Sequence, residues 1–490
     1  MPPGARGSPV TDRRDIPYRF EPTVTAAKLH ADHNDLAAGE SSGVGATVAG
    51  RLMLRRVQGK LCFGTLDDAS GSRIQLFAPA AVTPDYEEFC ALSVGDWVGA
   101  SGEVMRTRRG ELSVQVEDWR LLAESRRPFP DKWHGIADTD TRYRQRYVDL
   151  WVTPGTRRAF EIRSAAVAAI RAELAARGFT EVETPMLHPI PGGAAARPFV
   201  THHNALDCDF YLRVAPELYL KRLIVGGLTR VFELGRIFRN EGLSPRHSPE
   251  FTMLELYEAY ADYSDMMVLT EDLSAAAATA ATGSTEVQVG ERSLDLTPPW
   301  RRATMVELVS EFTGRELPAV GGADSAAAAA SRREAERMGV ATEAGWSAAR
   351  ILAEIYERRV ESQLWDPTFV CDFPVEVSPL ARRHRSSDGL AERFEAVAAG
   401  RELANAFTEL ADPDEQRDRF AAQEHRRRSG DSDAMTTDED YLRALSYGLP
   451  PTGGLGLGID RLIMLLCGAE TIRDVVLFPT LRPTADSGES

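Results

Sequence analysis

A chain of 490 residues, 43% hydrophobic and 27% charged, has the composition of a folded globular protein with core for two or three domains, which excludes an intrinsically disordered chain. Its 57 basic and 73 acidic side chains leave a formal charge of −16, which excludes an indiscriminate nucleic-acid coat but not a local binding site. Five cysteines without a CxxC pair give neither a disulfide framework nor a zinc site, and there is no apolar run of about 18 residues and no signal-peptide core, so a soluble protein of the reducing cytoplasm without membrane contact is expected.

Residues 1–43 are rich in Pro, Gly, Ser and Ala and predict a flexible N-terminal arm with one short helix near 25–36. From 44 to 125 the chain changes to short alternating runs (ATVAGRLMLRRV, KLCFGTLDD, SRIQLFA, DWVGASGEVMRT, ELSVQVEDWRLL) separated by Gly and Asp turns, the spacing of a five-stranded all-β barrel of the OB kind. Residues 44–127 carry eleven basic and eleven acidic side chains, so this stretch is neutral in an acidic chain and is where RNA would bind first. Residues 126–150, with two prolines and a basic end, predict a linker, and 151–490 a second, larger domain. There, Phe160, Val167, Ile170 and Leu174 recur at helical spacing before Gly178, FTEVETPML predicts a strand ending at Pro185, and PGGAAARPF a mobile loop. The Ala-rich stretches 275–282 and 326–337 predict surface helices.

The stretch 230–263, RVFELGRIFRNEGLSPRHSPEFTMLELYEAYADY, is the most informative. Two strand-like runs flank a loop punctuated by Gly242, Pro245 and Pro249, with Arg239, Glu241, Arg246 and His247 at its rim. Period two puts Phe251, Met253, Glu255 and Tyr257 on one face of the second strand and Leu254 and Leu256 on the other. The leucine face is core; a carboxylate and a phenol on the opposite face are seldom buried without partners.

FRNEG, RHSPEF and GLGLGIDR resemble motifs 2 and 3 of the class II aminoacyl-tRNA synthetases, and RVAPELYLKR, EFTMLELY, PLARR and GLPPTGGLG resemble the bacterial lysyl-tRNA synthetases, a likeness running from about residue 46 to the C-terminus. It implies an α+β catalytic domain on an antiparallel sheet behind the N-terminal OB barrel, a homodimer formed through the 156–185 helix–strand–proline unit (motif 1), and ATP, L-lysine, lysine tRNA and Mg2+ as substrates and cofactor. Joining two anions, an amino-acid carboxylate and the α-phosphate of ATP, needs arginines, whose fork grips both groups. The resemblance assigns Arg239 to bridging them and Arg461, at the start of an apolar helix, to the γ-phosphate; Glu241, His247 and Phe251 would hold the rest of ATP. Glu395 and Glu402, flanking a turn at Ala399–Gly400, fall on the family's metal positions. Around lysine it implies Glu255, Tyr257, Asn405, Phe407 and Glu409 toward the ε-ammonium, with Glu217 and Gly193 on the α-amino group. In the barrel it implies Phe63 stacking, Gln75 and Glu111 reading anticodon bases, and Arg51 on phosphates.

Parity opposes Glu402 to Asn405 and Glu409; a bulge, or a position ahead of the regular strand, would reconcile them. The chain departs from the family at Ala404 and Ala406 (glycine is usual), at Ser248 (asparagine is usual) and in its short N-terminus, and parity points the two methyls away from Asn405 and Glu409. Two other readings share these residues: a lysyl-adenylate-forming paralogue with a non-tRNA acceptor, against which the barrel argues, and a non-catalytic RNA-binding protein, against which Arg239, Glu395, Glu402 and Arg461 argue.

Overall fold

Alternating hydrophobicity along residues 41–123 folds into a closed five-stranded barrel: β1 (Ser41–Gln58), β2 (Leu61–Asp67), β3 (Arg73–Pro79), β4 (Trp97–Arg106) and β5 (Leu112–Ala123), in the order β1-β2-β3-β5-β4. A computed structural model describes residues 16–127, 135–153, 155–315, 317, 325–430 and 433–483, in two compact units that divide between Ala137 and Asp138. The barrel's inward residues, Val48, Leu66, Leu76, Val98 and Val114 among them, are almost fully buried. The helix Ala26–Asp32, capped by Thr25, belongs to this core: Ala26 and Leu29 are buried with the barrel residues, and the Ala26 N–H donates to Asp68 at 2.6 Å. The short helix expected near 25–36 is thus present, and it is seated on the barrel core through two apolar groups three residues apart instead of belonging to a flexible arm.

The second unit is built on an eight-stranded sheet. Its strands are β6 (Thr180–Glu181), β10 (Arg230–Phe238), β11 (Glu250–Ala259), β14 (Arg301–Thr304), β15 (Thr368–Cys371), β16 (Arg393–Ala398), β17 (Arg401–Thr408) and β18 (Thr452–Gly458), ordered β14-β15-β16-β17-β18-β11-β10-β6. Pairing is antiparallel except at the ends, where β6 and β14 join in parallel. Between them in sequence, β7 (Leu187–His188), β8 (Val200–His203) and β9 (Cys208–Leu212) form a small sheet, and β12 (Glu286–Val289) and β13 (Arg292–Asp295) a hairpin. FTEVETPML yields only the two-residue β6 and then the start of β7, with Pro185, which cannot donate to a ladder, between them.

One face of the large sheet is apolar. Leu254, Leu256, Ala404, Ala406, Leu455 and Leu457 form one core with the helices Thr156–Ala176, Tyr263–Thr282 and Ile459–Cys467. The first Ala-rich stretch lies in this core: Ala277 and Ala278 are 0% exposed, correcting the surface reading, because small side chains let a helix lie close against its neighbours. In the second, Ala335 is likewise buried. Residues 139–150 of the expected linker lie in two helices, Thr139–Arg144 and Arg146–Val152, held by an internal ion pair: Arg146 and Arg142 donate to the fully buried Asp149 at 2.7 and 2.9 Å. Among the described residues no helix is long and apolar enough to cross a membrane.

Asp460 ties three elements of this core. It accepts from the Thr252 N–H at 2.6 Å and from Arg163 at 2.5 Å, and Arg163 also donates to the Thr252 hydroxyl at 2.9 Å. Asp460→Ala strands a largely buried guanidinium and should destabilise the fold by about 3–5 kcal/mol. Urea unfolding measures this, and an unmoved transition would show that the pair contributes nothing.

Candidate active site

The polar face of the large sheet carries the site, and strand register sets out its contents in rows. Glu395 lies opposite Asn405, Asn405 opposite Gly456, Gly456 opposite Glu255 and Glu255 opposite Glu233. The next row is Arg393, Phe407, Gly454, Tyr257 and Val231. Glycines at the centre of both rows leave a depression instead of a ridge of side chains, and the resulting cavity of about 350 Å3 is lined by Gly193, Glu217, Arg239, Glu255, Tyr257, Asn405, Phe407 and Arg461, among others. At Gly454 the absence of a side chain is obligatory: a Cβ there would lie 2.0 Å from Glu409 Oε1 and 2.6 Å from the Tyr257 ring. Gly193 has φ +90°, and a Cβ would press within 3.3 Å of Glu217.

Basic groups hold the mouth. Arg239 follows β10 with its guanidinium over the Phe251 ring, 5.2 Å from the centroid, and its buried Nε has no hydrogen-bond acceptor among the described residues. Arg461, in the first turn of the helix Ile459–Cys467, donates to both the carbonyl and the carboxylate of Glu402 at 2.9 Å. Glu241 and His247 stand exposed at the rim, and burial followed by the Arg461 charge lowers the His247 pKa. Glu402 reaches this face through a bulge: Ala396 pairs with Ala404 but Val397 with Glu402, so Leu403 is the extra residue, and the conflict of parity disappears. Ala399 and Gly400, both at positive φ, make the turn between the two strands.

Glu395 lies on the same face without lining the cavity. Arg393, which the sequence reading missed, donates to it at 2.7 Å and to Asn405 at 2.9 Å; its place two residues before Glu395 on an alternating strand was the available signal. Burial and then the Glu402 charge push the Glu395 carboxyl up to about 8. Burial pushes Glu402 the same way, but Arg461, Arg393 and Arg239 outweigh it and its pKa falls.

Acid groups hold the blind end. Glu255 is 5% exposed and has Tyr257 as its hydrogen-bond neighbour at 3.4 Å, with no cation paired to it among the described residues. Burial, then the Glu217 charge, push its pKa to about 8. Glu217 begins the helix Glu217–Val225 and accepts from Lys221, one turn on, at 2.6 Å. Lys221, fully buried and not foreseen from sequence, is also ion-paired with Glu409. Glu409 Oε1 stands over the floor of the second row, 2.0 Å from where a Cβ on Gly454 would lie, and the Glu409 N–H continues the β17–β18 ladder to the Thr452 carbonyl at 2.8 Å.

On the barrel, Phe63 is half-buried on the outer face, tilted against Phe77 at 5.6 Å with Arg56 5.2 Å from its centroid. Gln75 accepts from Ser113 at 2.9 Å on the same face, and Glu111, two residues earlier on that strand's approach, is exposed. Arg51 donates to the Gly95 carbonyl at 2.8 Å and lies over the Trp97 ring, and Arg56 is the cation beside Phe63.

Gly454→Ala forces Glu409 and Tyr257 aside and should cost about 1–3 kcal/mol. Gly456→Ala meets nothing nearer than 3.6 Å and should be close to neutral. Parallel urea titrations of the two variants separate a crowded floor from mere loss of glycine, and equal shifts would refute the crowding.

Known proteins agree with this geometry. A family model described as tRNA synthetases class II (D, K and N) matches residues 138–482, and one described as OB-fold nucleic acid binding domain matches 46–122. The lysine–tRNA ligase of Prochlorococcus marinus (strain MIT 9303) is 54% identical over 480 residues, covering 95% of this chain and 94% of the relative. That of Synechococcus sp. (strain RCC307) is 52% identical over 479 residues, covering 97% and 94%. With an OB barrel, an antiparallel catalytic sheet and identity of this extent, the chain belongs to the lysine–tRNA ligase family of class II aminoacyl-tRNA synthetases.

Proposed function

We propose that the chain activates L-lysine with ATP to form lysyl-adenylate and pyrophosphate, and transfers the lysyl group to the 3′ end of lysine tRNA. The observation that carries this reading is the polarity of the cavity: a buried carboxylate without a cation, Glu255, at its blind end, and arginines 239 and 461 at its mouth. A neutral amino acid would leave Glu255 unpaired, whereas an ε-ammonium completes it. The lysine carboxylate then attacks the α-phosphorus, one P–O bond forms as the bond to pyrophosphate breaks, and Arg239 stabilises charge on both partners. Arg461, fixed by Glu402, meets the γ-phosphate. Tyr257, Asn405 and Phe407 shape the channel for the lysine stem, and Glu217 beside Gly193 receives the α-ammonium.

Glu395 and Glu402 suit magnesium in donor chemistry. They are hard oxygen ligands on one sheet face whose mutual repulsion contributes to the raised Glu395 pKa, and magnesium takes one or two carboxylates and leaves its other positions to phosphate oxygens and water. When bound it would screen the triphosphate. A homodimer belongs to the same proposal, supported by the motif 1 helix and by exposed Leu187 and Val200 on the small sheet beyond it, with exposed Met186 just ahead of β7.

Two experiments test this reading. Because the ligand-free Glu255 carboxyl titrates near 8, it must release its proton to pair with an ammonium, so lysine affinity rises with pH. In lysine-dependent ATP–pyrophosphate exchange the apparent KM for lysine should fall from about pH 6.5 to about pH 8.5, by up to roughly tenfold per unit on the acid side. Glu255→Gln should abolish that slope and raise KM; a flat wild-type profile would remove Glu255 from the lysine site. For the barrel, Phe63→Ala combined with Gln75→Ala removes a stacking platform worth about 1–3 kcal/mol per base and an edge contact. Exchange should stay near wild type while charging of lysine tRNA falls at least about tenfold; unchanged charging would refute anticodon reading.

A further inference from the structure

Ser113 is a polar residue sealed from water on the face of a strand that alternation turns outward. Along β5, Leu112, Val114 and Val116 point into the barrel and Ser113 to the other side, yet Ser113 is 0% exposed, with Gln75 opposite it on β3 and Met105 on β4. Its one hydroxyl proton has two acceptors in range, Gln75 Oε1 at 2.9 Å and the Glu111 carbonyl at 3.2 Å. The Glu111 carbonyl already takes the Thr107 N–H at 2.9 Å, so the proton goes to the nearer Gln75. A glutamine amide has two unlike ends, an oxygen that accepts and an NH2 that donates. With the oxygen held by Ser113, half-buried Gln75 turns its NH2 outward, on the face where Phe63 and Phe77 are paired.

We propose that Ser113 is a specificity-determining positioning residue of the barrel: it fixes the Gln75 amide with its donor outward, so that this face selects a base edge offering an acceptor over one offering an amino group. The inference rests on the anticodon reading of Phe63 and Gln75 above. Stacking on an aromatic ring is indifferent to base identity, because every base has a π-face. Choice must therefore come from an edge contact, and an amide free to turn about its last bond serves donor and acceptor edges alike. Uracil and cytosine differ at one such edge in sign, a keto oxygen that accepts standing where cytosine has an amino group that donates. Turning the Gln75 amide over would send the Ser113 proton to the longer contact, on a carbonyl already engaged, so the bias is that of one hydrogen bond.

The test is charging of lysine tRNA transcripts that carry uracil or cytosine at the second or, separately, the third anticodon position, read as the ratio of kcat/KM for the uracil transcript over the cytosine one. The position that Gln75 reads is the one where Gln75→Ala lowers this ratio. There, Ser113→Ala should lower it about threefold to tenfold, the effect of one neutral hydrogen bond. In the Gln75→Ala background the same change should leave the ratio within about twofold, because Ser113 acts through the amide. A serine that only fills space would lower charging of both transcripts alike. An unchanged ratio in Ser113→Ala therefore overturns the proposal, as does an equal effect with and without Gln75. Should Ser113→Ala not fold, Gln75→Glu decides: it keeps an acceptor for Ser113 and has no donor to turn outward, so the ratio should fall at least about tenfold, and a wild-type ratio overturns the proposal. Failure of the anticodon reading itself looks different, since Gln75→Ala would then leave the ratio unchanged at both positions.

Discussion

Negative charge held out of water sets the terms for the catalytic unit. A buried carboxylate is tolerable only with a cation, a set of donors or a proton, and this site places three of them within reach of one small cavity. Their compensation differs in kind: Glu409 has an internal lysine, Glu217 shares that lysine, and Glu255 has a phenol and, with nothing bound, a proton at neutral pH. The helix Glu217–Val225, the glycine-bearing β18 and the aromatic wall of Tyr257 and Phe407 are where they are because this arrangement must be enclosed and still left open on one side. At the opposite end the same requirement acts with the sign reversed, and Glu402 braces Arg461 against its neighbouring cations.

The antiparallel sheet gives these groups a common frame. Each central strand sends alternate residues into the hydrophobic core and into the cavity, so the leucines that stabilise the fold and the acids and amides that face the ligand are interleaved along the same backbone. Fixing Leu254 and Leu256 in the core fixes Glu255 and Tyr257 on the other face. Asp460 strengthens the coupling, joining β11 to the helix that carries Arg461 and to the motif 1 helix.

Much of this was legible in the sequence, and for physical reasons. Period two reported the faces of β11, short alternating runs reported the barrel, and the Ala399–Gly400 turn and the helix bearing Arg461 follow local rules of chain geometry. What stayed hidden depended on partners distant in sequence. Lys221 reads as one more helical cation until the strand carrying Glu409 is brought beside it, and Arg56 is indistinguishable from Arg51 until register sets it over Phe63. The Ala-rich helix misled because alanine is at home on a surface and in a tight helix contact alike; only the packing of Ala277 and Ala278 decides. The linker misled because its basic end is balanced by Asp149, an acid close by in sequence whose burial composition cannot report.

The bulge at Leu403 has a consequence for how this family can change. A strand has a reading frame of two, and the extra residue shifts that frame once, between Glu402 and Ala404. On one side of the shift lie the turn and the brace of Arg461; on the other lie Asn405 and Phe407. Loss of a single residue here would turn Glu402 toward the apolar core while its downstream neighbours kept their places, uncoupling the nucleotide end of the cavity from the amino-acid end. Substitutions along β17 can therefore accumulate one at a time, but its length is quantised, and insertions or deletions should be confined to segments outside the 393–408 hairpin.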